Sequence, residues 1–170
     1  EEIRHLSVTD GLTGCYNRRA LQDKLPEEIE RAQRYHRPLA VVFMDIDHFK
    51  QFNDQHGHQL GDEVLRSAAK HVAGTLRQGV DWIARYGGEE FVLVLPETPL
   101  EAAIAIAHRL CDALPQHAVP SPRGGSVYIS ASFGVTAYRP GEDALALLSR
   151  ADTLVYQAKS AGRQQVVAGA

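Results

Sequence analysis

Two short acidic stretches could hold a hard cation: Asp45-Ile46-Asp47, and Glu89-Glu90 within Arg85-Tyr86-Gly87-Gly88-Glu89-Glu90-Phe91. Carboxylate oxygens suit Mg²⁺, which keeps waters that substrate phosphates can replace. The second stretch reads as the tip of a β-hairpin. Val80 to Tyr86 alternates loosely between apolar and polar residues, and Phe91-Val92-Leu93-Val94-Leu95 is a buried-strand run. Gly87 and Gly88 are expected to supply the positive φ angles of a tight turn and to let a ligand approach the backbone. Taken alone, Gly-Gly-Glu-Glu is an ordinary surface turn; the second acidic strand end is what gives it weight.

That other strand end follows Leu39-Ala40-Val41-Val42-Phe43-Met44, apolar on both faces like a central strand covered by helices. Carboxylates two apart on a strand point the same way, so Asp45 and Asp47 could share a cation. Asp47 also stands where an N-cap is wanted for a short helix from His48 to Gln55. It is read as that cap, with Asp45 kept as the ligand. Lys50 and Asn53 fall on the short helix, and Gly57, Gly61 and Asp62 are expected in the loop after it. His56 and His58 are not read as a zinc site, since no further His or Cys ligand accompanies them. Phosphates would need counter-charges; Lys50, Lys159 and Arg163 are candidates, the last two on one face if their helix continues past Gly162.

The remaining elements must position these groups. Asn17 can cap a helix carrying Leu21, Leu25, Ile29 and Ala32, which Pro26 is expected to kink or interrupt before Arg37-Pro38 ends it. From Asp62 to about Leu76 runs a clear helical stripe, and Leu100 to Leu114 is an alanine-rich helix. Pro115 to Ser126 reads as an exposed, mobile loop, Val127 to Thr136 as a strand, Glu142 to Ser160 as a helix and Gln165-Val166-Val167 as a closing strand. This order predicts an α+β fold of βαββαβ type, ferredoxin-like or cyclase-palm, with a mostly antiparallel sheet and helices packed on it. In such a sheet the first strand lies beside the third, so Asp45 would meet Glu89 and Glu90.

Composition narrows the function. At 170 residues and 44% hydrophobic content the chain can bury one good core. A formal net charge of −3 argues against nucleic-acid binding through a basic face, and no apolar run reaches membrane-spanning length. Cys15 and Cys111 lack metal-ligand spacing and fit a reducing, cytoplasmic setting. Residues 1–9 are expected to be the end of a helix arriving from upstream, where any membrane anchor of the full-length protein would lie, with the domain itself spanning 10–170.

Gly87-Gly88-Glu89-Glu90-Phe91 resembles the signature of GGDEF domains, the diguanylate cyclases. The resemblance extends to Asp10-Gly11-Leu12-Thr13, Asn17-Arg18-Arg19, Asp45-Ile46-Asp47-His48-Phe49-Lys50, Asn53-Asp54, Gly57-His58, Gly61-Asp62 and Tyr156-Gln157-Ala158-Lys159 through Gly162-Arg163, essentially the whole chain in order. It implies condensation of two GTP to cyclic di-GMP by a two-fold homodimer controlled by an upstream sensory or regulatory domain. It further implies that Asp45, the carbonyl of Ile46 and Glu89 bind Mg²⁺ or Mn²⁺, with Glu90 beside them. Asn53 and Asp62 would read guanine, Lys50, Lys159 and Arg163 would hold phosphates, and Glu89 would be the leading catalytic residue with Lys50. Many such cyclases carry an Arg-x-x-Asp inhibitory motif ahead of the signature. Here Asp81 matches its Asp, Gln78 occupies its Arg position, Arg77 is adjacent, and Arg109 stands where some members have a second inhibitory arginine. Feedback inhibition is therefore expected to be weak or absent. The alternatives are a non-catalytic module that binds GTP or cyclic di-GMP, and a polymerase-like nucleotidyl transferase, which the acidic charge balance disfavours.

Overall fold

The computed structural model describes residues 7–170. The expected upstream helix falls largely on residues 1–6, outside the described residues. Seven strands and five α-helices follow in the order α1 (Arg18–Tyr35), β1 (Leu39–Ile46), α2 (Phe49–His56), α3 (His58–Thr75), β2 (Trp82–Gly87), β3 (Glu90–Pro96), α4 (Leu100–Ala113), β4 (Val119–Pro120), β5 (Ser126–Val127), β6 (Ala131–Ala137), α5 (Ala144–Ser160) and β7 (Val166–Gly169). Five strands form one sheet in the order β2-β3-β1-β6-β7, antiparallel except for the β6–β7 pair. The α+β architecture with a mostly antiparallel sheet is as the element order predicts. Among the described residues no helix is long and apolar enough to cross a membrane.

β1 is central because both its faces are apolar. Ala40, Val42, Met44 and Ile46 face a core built with α3 and α4 residues such as Val64, Ala68, Ala103 and Leu110. Leu39, Val41 and Phe43 face a second core with Leu21, Leu25 and Ile29 of α1 and Leu147, Ala151 and Val155 of α5. Each fully buried large side chain contributes about 1.5–3 kcal/mol relative to exposure, so the alternation along one strand ties two helical layers to one sheet.

Four local expectations are corrected. Pro26 lies inside α1 without ending it; it stands on the exposed side, where the carbonyl it leaves without a donor faces water. Gly61 and Asp62 lie in α3, which begins at His58, and not in a loop. The strand expected from Val127 to Thr136 is split: Ser126–Val127 pairs with Val119–Pro120 in a small hairpin, and β6 starts only at Ala131. The supposed loop from Pro115 therefore carries part of that hairpin, and Val119 within it is buried. Asn17 does cap α1, its Oδ1 accepting from the Ala20 N–H at 2.9 Å.

Candidate active site

The antiparallel register of β1 and β3 sets Asp45 directly opposite Glu90. Gly87 pairs with Glu90 across a two-residue turn of Gly88 and Glu89, with a register shift between Arg85 and Gly87. The N–H of Ile46 donates to the Glu89 carbonyl at 3.2 Å, tying the turn to the end of β1. Two acidic groups far apart in sequence thus meet at one sheet end, as the strand order predicts.

The glycines act differently from expectation. Neither Gly87 nor Gly88 takes positive φ, so the turn needs no left-handed residue. At Gly88 a Cβ would meet nothing within 4 Å, so the turn is open to an approaching ligand, and at Gly87 it would lie 3.2 Å from Glu90 Oε1. Arg85 holds the tip from behind: its Nε donates to the Gly88 carbonyl at 2.9 Å and its Nη1 lies 3.2 Å from Asp10 Oδ2. Asp10 in turn accepts from the backbone and hydroxyl of Thr13. The sequence reading gave Arg85 no role, although its place opening the acidic stretch was a usable signal.

Burial pushes the Asp45 carboxyl up to about 6, with the Lys159 ammonium pulling it back and Glu89 and Glu90 adding to the rise. At neutral pH it is therefore mostly ionised. Asp45 Oδ1 is buried and lies 3.1 Å from Lys159 Nζ, but at an angle that makes no hydrogen bond. Burial also raises Glu90, helped by Asp152 and Glu89 and opposed by Arg18 and Lys159. A buried carboxylate whose close partner is a single ammonium, flanked by two further carboxylates that raise it, is a fit for a hard cation. Among the described residues no three His, Cys, Asp or Glu side chains converge to cage an ion by themselves.

Asp47 is not the cap of α2. His48 holds the N-cap position in left-handed conformation without a side-chain cap bond. Asp47 is buried and accepts from Ser130 Oγ at 2.7 Å and Ser132 Oγ at 2.6 Å. Ser130 and Ser132 were missed, though their spacing of two on an alternating stretch was the available clue.

Asn53 of α2 packs against Gly61 of α3, the residue before Asp62. A Cβ on Gly61 would lie 1.8 Å from Asn53 Oδ1, and that oxygen is buried without a hydrogen-bond partner. Lys159 reaches both Asp45 and Asp47 from the last turn of α5. Arg163 does not share its helix face: α5 ends at Ser160, and Arg163 is exposed in left-handed conformation. Lys50 is exposed on α2.

The other predicted group lies elsewhere. Asp81 precedes β2, whereas the acidic cluster lies where β2 ends. Arg77 grips Asp81 with a forked pair, Nη2 to Oδ1 at 2.7 Å and Nε to Oδ2 at 3.0 Å, and also donates to the Pro96 carbonyl and Thr98 Oγ1. Asp81 also lines a groove of about 680 Å³ with Tyr16, Lys24, Tyr35 and Trp82. The acidic cluster lies outside this groove, on an open sheet end.

Residues 7–165 match the family model described as "Diguanylate cyclase, GGDEF domain". The chain is 43% identical over 169 residues to the diguanylate cyclase DgcP of Pseudomonas aeruginosa, covering 98% of this chain and 24% of that protein. It is 43% identical over 168 residues to the response regulator PleD of Caulobacter vibrioides, covering 95% of this chain and 36% of that protein. It therefore spans only about a quarter to a third of these relatives' lengths. Its fold matches the GGDEF domain of DgcB from Caulobacter crescentus, solved in complex with c-di-GMP, with a TM-score of 0.91 and 32% identity over 98% of both chains.

Proposed function

The chain belongs to the diguanylate cyclase GGDEF family, and from that premise we propose that it condenses two GTP into cyclic di-GMP, releasing two pyrophosphates, when two copies face each other across a two-fold axis. The observation that carries this reading is the pairing of Asp45 with Glu90 beside Glu89, with one buried carboxylate oxygen lacking a hydrogen bond. Asp45, Glu89 and the carbonyl of Ile46 would hold Mg²⁺ or Mn²⁺, with Glu90 beside them. Bound there, such an ion supplies Lewis-acid stabilisation of charge on the α-phosphate and lowers the pKa of the attacking hydroxyl. The ribose 3′-hydroxyl of one GTP attacks the α-phosphorus of the other in line, and the bond to pyrophosphate breaks. Lys159, Lys50 and Arg163 counter the phosphate charge.

Asn53 and Asp62 read guanine, since a carboxylate accepts from the N1 and N2 donors that adenine does not offer as a pair. Gly61→Ala is expected to displace Asn53 with little loss of stability, because the clash is with the far end of a side chain. Titration with a non-hydrolysable GTP analogue should show affinity at least about tenfold lower, matching the loss of roughly one buried hydrogen bond to a charged or polar edge. Unchanged affinity would remove Asn53 from the guanine pocket.

A site that opens on a sheet end supports completion by a second, GTP-loaded domain. An upstream regulatory domain would govern that pairing in the full protein, with the catalytic domain in the cytoplasm. Specific activity of the isolated domain should rise with protein concentration, and a coiled coil fused ahead of Glu1 should raise it further. Cyclic di-GMP formation from GTP and Mg²⁺ by that fusion tests the function directly. A fusion that binds GTP and makes none would favour a non-catalytic binding module.

The same reading includes weak product inhibition. Arg77 already saturates Asp81, and Gln78 lacks the forked, charge-assisted donor of an arginine. Gln78→Arg is expected to tighten product binding about ten- to a hundred-fold, the range for one charged hydrogen-bonding group. Tight binding by the unaltered chain that a GTP analogue cannot displace, weakened by Asp81→Ala, would show a working inhibitory site instead.

A further inference from the structure

Asp47 is a carboxylate with no solvent to share: its side chain is 1% exposed. Four donors from three pieces of chain converge on it. Ser130 Oγ donates at 2.7 Å and Ser132 Oγ at 2.6 Å, from just before and within β6. Lys159 Nζ approaches to 3.4 Å from the last turn of α5, and the backbone N–H of Gln164 donates at 3.1 Å from the turn beyond it. Its own N–H donates to the Ser130 carbonyl at 2.8 Å, which fixes the end of β1 against β6.

The turn that Asp47 reaches needs an anchor. Gly162, Arg163 and Gln164 all have positive φ, at 123°, 65° and 49°, and two of them carry side chains that disfavour this conformation. Residues 161–164 are exposed. Besides the bond to Asp47, the turn is held by the N–H groups of Ala161, Gly162 and Arg163 donating back to carbonyls of α5, by Gln165 Nε2 donating to the Arg163 carbonyl at 3.1 Å, and by the Gln165 carbonyl accepting from Phe133 N–H at 3.0 Å. The Asp47 bond ties it directly to the residue that follows β1.

We infer that Asp47 is a positioning residue for the phosphate-facing cations: it holds the turn bearing Arg163 through Gln164, and it keeps Lys159 at the site when a cation takes Asp45. Lys159 lies 3.1 Å from Asp45 and 3.4 Å from Asp47, so it can release the first carboxylate and remain paired with the second. A carboxylate is needed because Ser130 and Ser132 use the oxygens' capacity only in part; the remaining lone pairs serve an ammonium and an amide at once. This inference rests on the nucleotide-binding reading of the site.

The test compares the unaltered chain with Asp47→Asn, which keeps the shape and removes the charge. The probes are Mn²⁺ alone, followed by its paramagnetic resonance signal, and a non-hydrolysable GTP analogue in the presence of Mn²⁺. Asp47→Asn should weaken the analogue about tenfold or more while the affinity for Mn²⁺ alone changes less than about threefold. In the unaltered chain the Gln164 amide should exchange with solvent at least about tenfold more slowly than its own unprotected rate, despite the exposed turn. Collapse of Mn²⁺ affinity in Asp47→Asn would make Asp47 a metal ligand and overturn the inference. So would a lower melting temperature with analogue affinity unchanged, or a Gln164 amide that exchanges freely in the unaltered chain, a measurement that needs no variant. Failure of the unaltered chain to bind the analogue at all would overturn the function reading and this inference together.

Discussion

Glu89→Gln is expected to abolish cyclic di-GMP formation while leaving the fold intact. The side chain keeps its size, and the backbone bond from Ile46 N–H to the Glu89 carbonyl does not depend on the carboxylate. What disappears is one negative charge from the group that would hold the catalytic cation. A loss of at least about 10³-fold in turnover, roughly 4 kcal/mol, is what removing part of a Lewis-acid site costs. Stability should move the other way or not at all, because Glu89 is among the charges that raise Asp45. The measurement is product formed by a coiled-coil-fused dimer alongside a thermal melt of the same preparation. Near-normal turnover would sink the metal assignment, and a large drop in melting temperature would mean that Glu89 is structural.

Gly134→Val is expected to be the most damaging single change to the fold. A Cβ at Gly134 would lie 2.3 Å from the Ala151 carbonyl oxygen, 2.6 Å from Val155 N and 2.9 Å from Leu154 Cβ. Two of these three are backbone atoms of α5, so no rotamer change relieves the clash and the helix must lift from the sheet. Overpacking of this kind costs about 3 kcal/mol or more, a large share of a domain's typical 5–15 kcal/mol. Urea unfolding should show it directly. Gly88→Ala is the control, since its Cβ would meet nothing within 4 Å and should leave stability unchanged. Because α5 delivers Lys159 to Asp45 and Asp47, any Gly134→Val protein that folds should also lose nucleotide binding.

The site was legible where it follows from periodicity. Apolar residues on both faces of β1, a hairpin tip with two acids, and the βαββαβ order together imply that Asp45 meets Glu90, and the register bears this out. The misreadings share one cause: each judged a residue by its neighbours in the chain. Asp47 looked like a helix cap because capping is a local interaction. Its actual partners lie 83 to 117 residues away. Gly87 and Gly88 looked like turn formers because glycine permits positive φ, yet the turn closes without it. Arg163 looked like part of a helix face because spacing of four is helical, but the chain leaves the helix at Ser160.

By itself the sequence determined the family, the α+β class and the pairing of the first strand with the third, since hydrophobic alternation and motif chemistry are written residue by residue. Only the tertiary structure decided what each polar group does. A buried carboxylate takes whichever donors the fold brings within about 3 Å, and hydrogen-bonded satisfaction of a desolvated charge outweighs the roughly 1 kcal/mol a helix cap contributes. Asp47 therefore serves β6 and the turn after α5, while Asp45 faces Glu90 across the sheet with the Lys159 ammonium 3.1 Å from its Oδ1.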